Sequence, residues 1–288
     1  MIALISKDAG GAEFISRYIS SKKEKFCIAA TGPAIKVFKK KFKNIKIINR
    51  ITAIKKSDWI LCSTGTSSDY EKDAIILAKK NKKKVVAYID HWTEYRKRFL
   101  KNNKMIYPDE IWVSDKYAFK IAKKSRLKNV KIMGNPLFSD FLKYKKKMSL
   151  FKRNNPKNNI LFLSEPVSKE LRKYYNEIKC LNYFLNNLDL FQNKFTKIQI
   201  RPHPSERKSK FLKFAKNSKK IFISNKNHIF QDIINSKIII GINTIALVLG
   251  LLAKRKAISC IPSKKQCELP HKEIISFTDL LNDKKKFN

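Results

Sequence analysis

Ile200-Arg201-Pro202-His203-Pro204-Ser205-Glu206, and further on the apolar run Ile238 to Ala253 broken by Gly241-Ile242-Asn243-Thr244, are the stretches that decide the fold. The first reads as a buried strand over Lys197 to Arg201 that ends in a turn, with His203 held between two prolines. The second reads as strand, two-residue turn and helix: Lys237-Ile238-Ile239-Ile240 is β-branched, whereas Ala246 to Ala253 is rich in Leu and Ala. A membrane span would need roughly 20 apolar residues. This run is shorter, holds Asn, Thr and two glycines, and is flanked by lysines. Asn243 and Thr244 fall in the first turn of the expected helix, where unpaired N–H groups and a partial positive charge suit an anion. Arg201 and His203, at a neighbouring strand end, supply the rest of a phosphate or diphosphate site.

Strand–helix alternation runs through the whole chain, the pattern of α/β proteins with parallel sheets. In the first half, strands are expected at Ile2–Ser6, Phe26–Ala30, Ile45–Ile48, Trp59–Cys62, Val85–Ile89, Glu110–Val113 and Val130–Met133. Helices fall at Ala12–Ser21, Pro33–Phe42, Asp69–Lys80 and Lys116–Lys124. Ser68 and Glu71 have capping-box spacing, and Pro33 suits a first helical turn. Gly134-Asn135-Pro136 breaks the pattern, and the Lys- and Asn-rich stretch after it reads as a linker over 143–158. Beyond it come strand Ile160–Leu163, a long helix Lys169–Leu190, strand Lys197–Arg201, helix Lys208–Lys216 and strand Ile221–Ser224. Helix Ile229–Ser236, strand Lys237–Ile240, helix Thr244–Lys254 and strand Ala257–Cys260 complete it. The expected domains are 1–142 and 159–288, in keeping with 288 residues as about two domains.

Composition narrows the partners. Hydrophobic residues make up 43%, enough for real cores. The net charge of +41 comes overwhelmingly from Lys spread along the chain. Nucleic-acid sites favour Arg forks and clustered aromatics, and no such block occurs, which argues against specific nucleic-acid binding. A loose attraction to an anionic membrane surface fits better, for instance at Lys143-Tyr144-Lys145-Lys146-Lys147. The five cysteines are widely spaced without a Cys-x-x-Cys, which points to reduced thiols and a cytoplasmic setting, and away from zinc or a disulfide framework. Met1 to Ile5 turns polar at once at Ser6-Lys7-Asp8, so no signal peptide is expected.

In open parallel sheets, ligands bind beyond the carboxyl ends of the strands. Four loops there are polar or Gly-rich. Ser6-Lys7-Asp8-Ala9-Gly10-Gly11 lacks a full G-x-G-x-x-G and reads as an acceptor-facing loop through Asp8, Gly10 and Gly11. Ser63-Thr64-Gly65-Thr66-Ser67-Ser68-Asp69 offers hydroxyls, with Thr66 and Ser67 as candidates, although Ser68 as a plain helix cap explains part of it. Tyr88 to Arg98 places Asp90 at the end of an apolar strand, with His91, Trp92, Tyr95, Arg96 and Arg98 behind it. A carboxylate there would be partly desolvated and usable as a general base. The aromatics would stack on a sugar and the arginines hold an anionic acceptor. Capping, or pairing with Arg96, is the bland alternative for Asp90. The fourth set is Ser164, Glu165, Arg201, His203, Glu206, Asn243 and Thr244, hydroxyls and donors suited to a nucleotide leaving group.

With these residues the chain resembles bacterial glycosyltransferases of the two-Rossmann-domain (GT-B) type, and within them the sialyltransferase and capsule Kdo-transferase group. Those relatives carry a His-Pro motif and then a Ser/Thr-bearing helix start. The resemblance implies two Rossmann-like domains with parallel sheets facing a cleft. The first would take a glycan or glycolipid acceptor and the second a nucleotide-sugar donor, in surface-polysaccharide or lipopolysaccharide assembly. Asp90 is then the catalytic base, and His203 stabilises the departing phosphate. The family's acidic-acidic-Gly pattern is absent around Asp90, and the Glu that often holds the donor ribose, five residues after the Thr, is Leu249 here. That last departure leans the donor towards a CMP-sugar and leaves Glu206 as a ribose contact. No Asp-x-Asp occurs, so neither metal nor other cofactor is expected. A nucleotide-sugar epimerase or hydrolase of the same fold, and a basic nucleic-acid-binding protein, are the rival readings.

Overall fold

The computed structural model describes residues 1–66, 68–150, 157–191, 195–216, 218–224, 226–262 and 267–283. The chain divides into two compact units, Met1–Ser139 and Asp140–Asn288.

The first unit contains β1 (Ile2–Ser6), α1 (Ala9–Ser20), β2 (Phe26–Ala30), α2 (Pro33–Lys41), α3 (Arg50–Lys56), β3 (Trp59–Cys62), α4 (Tyr70–Lys80) and β4 (Lys84–Ile89). They are followed by β5 (Leu100–Lys101), β6 (Lys104–Met105), β7 (Glu110–Val113), α5 (Lys116–Lys124) and β8 (Val130–Ile132). Six strands form a wholly parallel sheet in the order β2-β1-β3-β4-β7-β8. Every residue of β1 is buried, as befits a central strand covered on both faces. Phe14 and Ile15 of α1 and Phe38 of α2 pack with Ile2, Leu4 and Tyr88 in one core. Each such buried side chain is worth about 1.5–3 kcal/mol.

α6 (Pro136–Leu150) follows, and the second unit continues with β9 (Lys157–Leu163), α7 (Glu177–Leu185), β10 (Lys197–Arg201), α8 (Leu212–Lys216), β11 (Ile221–Ile223) and α9 (Ile229–Asn235). It ends with β12 (Ser236–Gly241), α10 (Ile245–Leu252), β13 (Lys256–Ser259), β14 (Ile275–Ser276) and α11 (Phe277–Asn282). Its sheet is also six-stranded and parallel, in the order β11-β10-β9-β12-β13-β14. Phe162, Phe184, Phe191, Ile198, Ile240 and Phe277 meet in its core. The expected α/β class with two parallel sheets is therefore the observed one.

Several local expectations change. Ile45–Ile48 is not a strand: a lone bridge joins Ile47 to Ile28. The next turn instead forms α3, capped by Asn49, whose side chain accepts from Ile51 N–H at 2.7 Å. The long helix expected over Lys169–Leu190 begins only at Glu177, because Asn176 caps it there, accepting from the N–H groups of Ile178 and Lys179. Residues 143–150 of the expected linker are helical, within α6; residues 151–156 lie outside the described residues. Asn102 and Asn103, both at positive φ, turn the small β5–β6 hairpin that was not foreseen.

Candidate functional site

Each sheet has a point where the strand order reverses, and ligands in such folds bind outside the strand ends there. In the first unit β2 lies to one side of β1 and β3 to the other, so the reversal falls between the loops after β1 and β3. After β1 come Asp8 and, already in the first turn of α1 rather than in the expected loop, Gly10 and Gly11; after β3 come Ser63, Thr64 and Gly65, and the end of β4 brings in Asp90.

Glycine is required where these loops meet. A Cβ on Gly10 would collide with Asp90 Oδ2, one on Gly11 with the Ser63 side chain, and one on Gly65 with Asp8 Oδ2. Asp90 Oδ1 accepts from Arg98 Nη1 at 3.0 Å. The same nitrogen donates to the Thr64 carbonyl at 2.8 Å, and Arg98 Nε donates to Thr93 O at 3.1 Å. Arg98 is only 8% exposed, so a buried guanidinium ties β4 to the β3 loop. Asp90 thus has an arginine partner, but it is Arg98; Arg96 is exposed and reaches Ser125 O at 3.4 Å.

Ser68 and Glu71 do not form a capping box. Asp69 is the N-cap of α4, and Ser68 Oγ only accepts from Tyr70 N–H at 3.4 Å. Glu71 turns the other way and accepts from Lys7 N–H at 2.8 Å and from Ser63 Oγ at 3.1 Å. Ser63 and Ser6 share a hydrogen bond of 2.7 Å. Burial raises the Glu71 pKa, the Lys7 N–H opposes that, and the nearby Asp8 charge adds to the rise.

The expected stacking face is corrected. Trp92 is 3% exposed and Tyr95 2%, so neither presents an open ring. The Trp92 indole N–H instead donates to both oxygens of Asp115, the N-cap of α5, which also accepts from Ala118 N–H at 2.7 Å. His91 Nδ1 pairs with Thr93 Oγ1 at 3.1 Å, and Thr66 Oγ1 donates to Glu94 Oε2 at 3.2 Å. Neither side chain joins the Asp8–Asp90 cluster through these bonds. Ser67 lies outside the described residues.

In the second unit the reversal falls between β9 and β12, where Ser164-Glu165 and Ile242-Asn243-Thr244 emerge. Thr244 is the N-cap of α10, its Oγ1 accepting from Ala246 N–H at 3.3 Å; Asn243 therefore precedes the helix. Glu165 accepts from Asn243 N–H at 2.8 Å, and Asn243 Oδ1 accepts from Glu268 N–H at 2.9 Å. Asn243 is committed to holding three loops together. Glu165 keeps partial solvent contact at its surface, yet protein encloses its carboxyl, and this burial pushes its pKa up to about 7. The Asn243 N–H opposes the rise, while Glu206 and Glu268 add to it. Ser164 Oγ is buried without a hydrogen-bond partner among the described residues.

Arg201 is committed to neighbours of its own unit. It is ion-paired with Asp232, which is 2% exposed, and also donates to Asn227 O at 3.0 Å. Gln199 Nε2 donates to the same Asp232 oxygen at 2.8 Å. Glu206 is committed too: Oε2 accepts from His203 N–H at 3.0 Å and Oε1 from Lys210 Nζ at 2.9 Å. His203 Nδ1 accepts from Ser205 N–H at 3.2 Å, which leaves Nε2 to carry the proton of the neutral, exposed ring. Partial enclosure lowers its pKa, against the Glu206 charge. Leu249 is buried in α10 and cannot meet a ribose.

From the sequence, Arg98 is assigned to an anionic acceptor rather than to Asp90, Glu71 has only a capping role, and Glu268 goes unremarked. The signal for Glu71, an acidic residue in the first turn of a helix after a strand, is the same one that suggests a cap. Glu268 had none, because its place depends on a bond to Asn243. Among the described residues no group of three or more His, Cys, Asp or Glu is placed to hold a metal ion. No helix among them is long and apolar enough to cross a membrane.

No family model and no curated protein matches the chain. Solved structures do. The UDP-GlcNAc 2-epimerase of Methanocaldococcus jannaschii aligns over 90% of this chain and 83% of its own, at 14% identity and TM-score 0.59. The glycotransferase of kitacinnamycin aligns over 93% and 81%, at 9% identity and TM-score 0.55. A variant of the wall teichoic acid polymerase TagF aligns over 100% and 79%, at 12% identity and TM-score 0.55. At such identities the likeness is one of fold: this chain has the two-sheet α/β architecture found in both glycosyltransferases and nucleotide-sugar epimerases.

Proposed function

We propose that the protein is a glycosyltransferase that takes a nucleotide-activated sugar in its second unit and an acceptor hydroxyl in its first. The observation that carries this reading is the placement of a dense polar cluster at the order reversal of each sheet. The first is rich in carboxylates; the second joins Glu165 to Asn243 at the start of α10, and His203 follows β10, the strand next to β9. In the second unit, Thr244 at the α10 start and the Nε2–H of His203 suit a phosphate, and Glu165 or Glu268 suits ribose hydroxyls. In the first, Asp90, oriented by Arg98, takes the proton of the acceptor hydroxyl. The acceptor oxygen then bonds to the sugar carbon as the carbon–phosphate oxygen bond breaks, and the leaving phosphate keeps the electron pair.

A cytidine nucleotide is the favoured donor portion, on the pairing of His203 with a Thr-capped helix and on Leu249. A glycan or glycolipid acceptor of the cell surface, in the manner of the sialyltransferase and Kdo-transferase group, accords with the His-Pro stretch. Loose contact with an anionic membrane surface accords with the +41 charge. Thermal unfolding with CMP, CDP, UDP and GDP tests the reading. A ligand at 100 times its Kd adds about 2.7 kcal/mol, several degrees for a chain of this size. If no nucleotide moves the transition, the transferase assignment falls.

A further inference from the structure

The turn His203-Pro204-Ser205-Glu206 closes on itself. Glu206 N–H donates to His203 O at 2.8 Å, and the Glu206 side chain reaches back to accept from His203 N–H at 3.0 Å. The side-chain return is that of a capping box, in which an acid satisfies the backbone donor three residues before it. Here it closes a single turn. Ser205 N–H donates to His203 Nδ1 at 3.2 Å, and Ser205 Oγ lies 2.7 Å from the same nitrogen. A ring that accepts at Nδ1 carries its proton, when neutral, on Nε2.

Glu206 is held from outside the turn. Its side chain is 5% exposed, and its Oε1 accepts from Lys210 Nζ at 2.9 Å. The same ammonium is ion-paired with Glu177, the buried first residue of α7. Glu177 Oε2 has no hydrogen-bond partner among the described residues. Burial therefore works against the Glu177 charge, while Lys210 and, further down, Arg172 favour it. Lys210 belongs to a 3-10 turn over Lys208–Phe211, and the core burial of Phe211 anchors its backbone. Two other charges bear on the turn. Glu206 acts on His203 against the effect of enclosure, and Glu165 faces Glu206 from the end of β9.

We propose that Lys210 is a positioning residue for His203: by holding Glu177 and Glu206 at once, it ties the His203 turn to α7 and keeps the imidazole proton on Nε2. Lys210 acts through Glu206. The consequence for binding is one of sign. With its proton on Nε2 the ring donates to a phosphate oxygen; with the proton on Nδ1 it turns a lone pair towards the same anion and repels it. This inference rests on the transferase reading only for phosphate as the ligand of His203.

Full-length protein labelled with 15N-histidine tests it by NMR, with His203→Ala identifying the His203 signals. The wild type should show the Nε2–H form; a dominant Nδ1–H form would overturn the proposal at once. In Lys210→Met the Glu206 charge loses its partner. The His203 midpoint should then rise, and the Nδ1–H form should appear as the turn loosens. Lys210→Arg, which keeps the cation, should hold both near the wild type. A merely structural lysine would change the unfolding midpoint and leave the ring's titration alone, so an unmoved tautomer and midpoint in Lys210→Met defeat the proposal. Should that variant not fold, Lys210→Gln decides on the same readings. CMP titration of the same samples separates this claim from the donor site. CMP should bind Lys210→Met roughly tenfold more weakly than the wild type, the scale of one lost hydrogen bond to a charged group. CMP binding to the wild type with an unmoved tautomer in Lys210→Met sinks the network and spares the transferase. A moved tautomer without CMP binding to the wild type does the reverse.

Discussion

Arg98 Nη1 stands 3.0 Å from Asp90 Oδ1 and 2.8 Å from the carbonyl oxygen of Thr64, so one buried guanidinium sets both the carboxylate at the end of β4 and the loop after β3. Asp90 Oδ2 meanwhile lies against Gly10 in the first turn of α1, just after β1. Three strand ends are thereby registered through two side chains. In Asp90→Asn the Arg98 contact can persist through the amide oxygen while the basic oxygen is lost. Turnover should fall roughly 10²–10⁴-fold, the usual size of a lost general base, with nucleotide binding nearly unchanged. Full activity in the variant, measured with a competent donor and acceptor, would remove Asp90 from that role.

Arg201 and His203 are two residues apart and should behave oppositely. Arg201→Ala strands Asp232 in the core, and breaking a buried pair typically costs about 3–5 kcal/mol. Gln199 and Asn227 still donate to Asp232, so the loss should sit at the lower end. Urea unfolding reads it. His203→Ala, in an exposed turn, should leave the urea midpoint almost unmoved and abolish most of the thermal shift produced by CMP. A large CMP shift surviving in His203→Ala would exclude it from the nucleotide site.

Glu165 makes stability depend on pH. Its folded pKa of about 7 lies above the ordinary glutamate value of 4.5, so between these the folded state binds the extra proton. Its contribution is present below about 4.5 and is lost as pH rises through about 7. At most roughly 3 kcal/mol is involved, and solvent contact reduces that. Glu165→Gln keeps an oxygen for Asn243 N–H and removes the charge. It should flatten this limb of the stability–pH curve and stabilise the protein above neutrality, as chemical denaturation at a series of pH values would reveal. An identical curve in the variant would assign the effect elsewhere.

Gly11 is a packing requirement. A Cβ there would run into the Ser63 side chain, which is itself bonded to Ser6 and Glu71. Gly11→Ala should cost about 1–3 kcal/mol as an overpacked site. Gly134→Ala meets no neighbour within 4 Å, but its φ of 77° makes the substitution strained for a separate reason. Comparing the two by calorimetry separates steric from backbone cost.

The chain's periodicities carried the architecture. Apolar β-branched runs such as Ile2–Ile5 and Ile238–Ile240, set between helix-forming stretches, are enough to demand parallel sheets covered on both faces, because burial of these side chains is local in sequence and large in energy. The segments that follow the strands are legible for the same reason: a place at a strand end is a one-dimensional fact, and it puts Asp8, Asp90 and Glu165 just beyond β1, β4 and β9, and Thr244 at the start of α10. Short elements escaped. Nothing in Ile45–Ile48 says that the edge of the sheet stops short of it, and nothing in Lys169–Asn176 outweighs the cap that starts α7 at Asn176. What tertiary structure alone decided was partnership. Arg98 rather than Arg96 meets Asp90, Arg201 turns to Asp232, Trp92 donates to Asp115, and Glu71 accepts from Lys7 N–H and Ser63 Oγ. Each of these pairings joins residues on different elements, where a hydrogen bond or ion pair is worth only about a kcal/mol or a few and depends on angstrom-scale placement. Such terms are too small and too directional to leave a period in the sequence, and so they appear only once the sheets have brought the loops together.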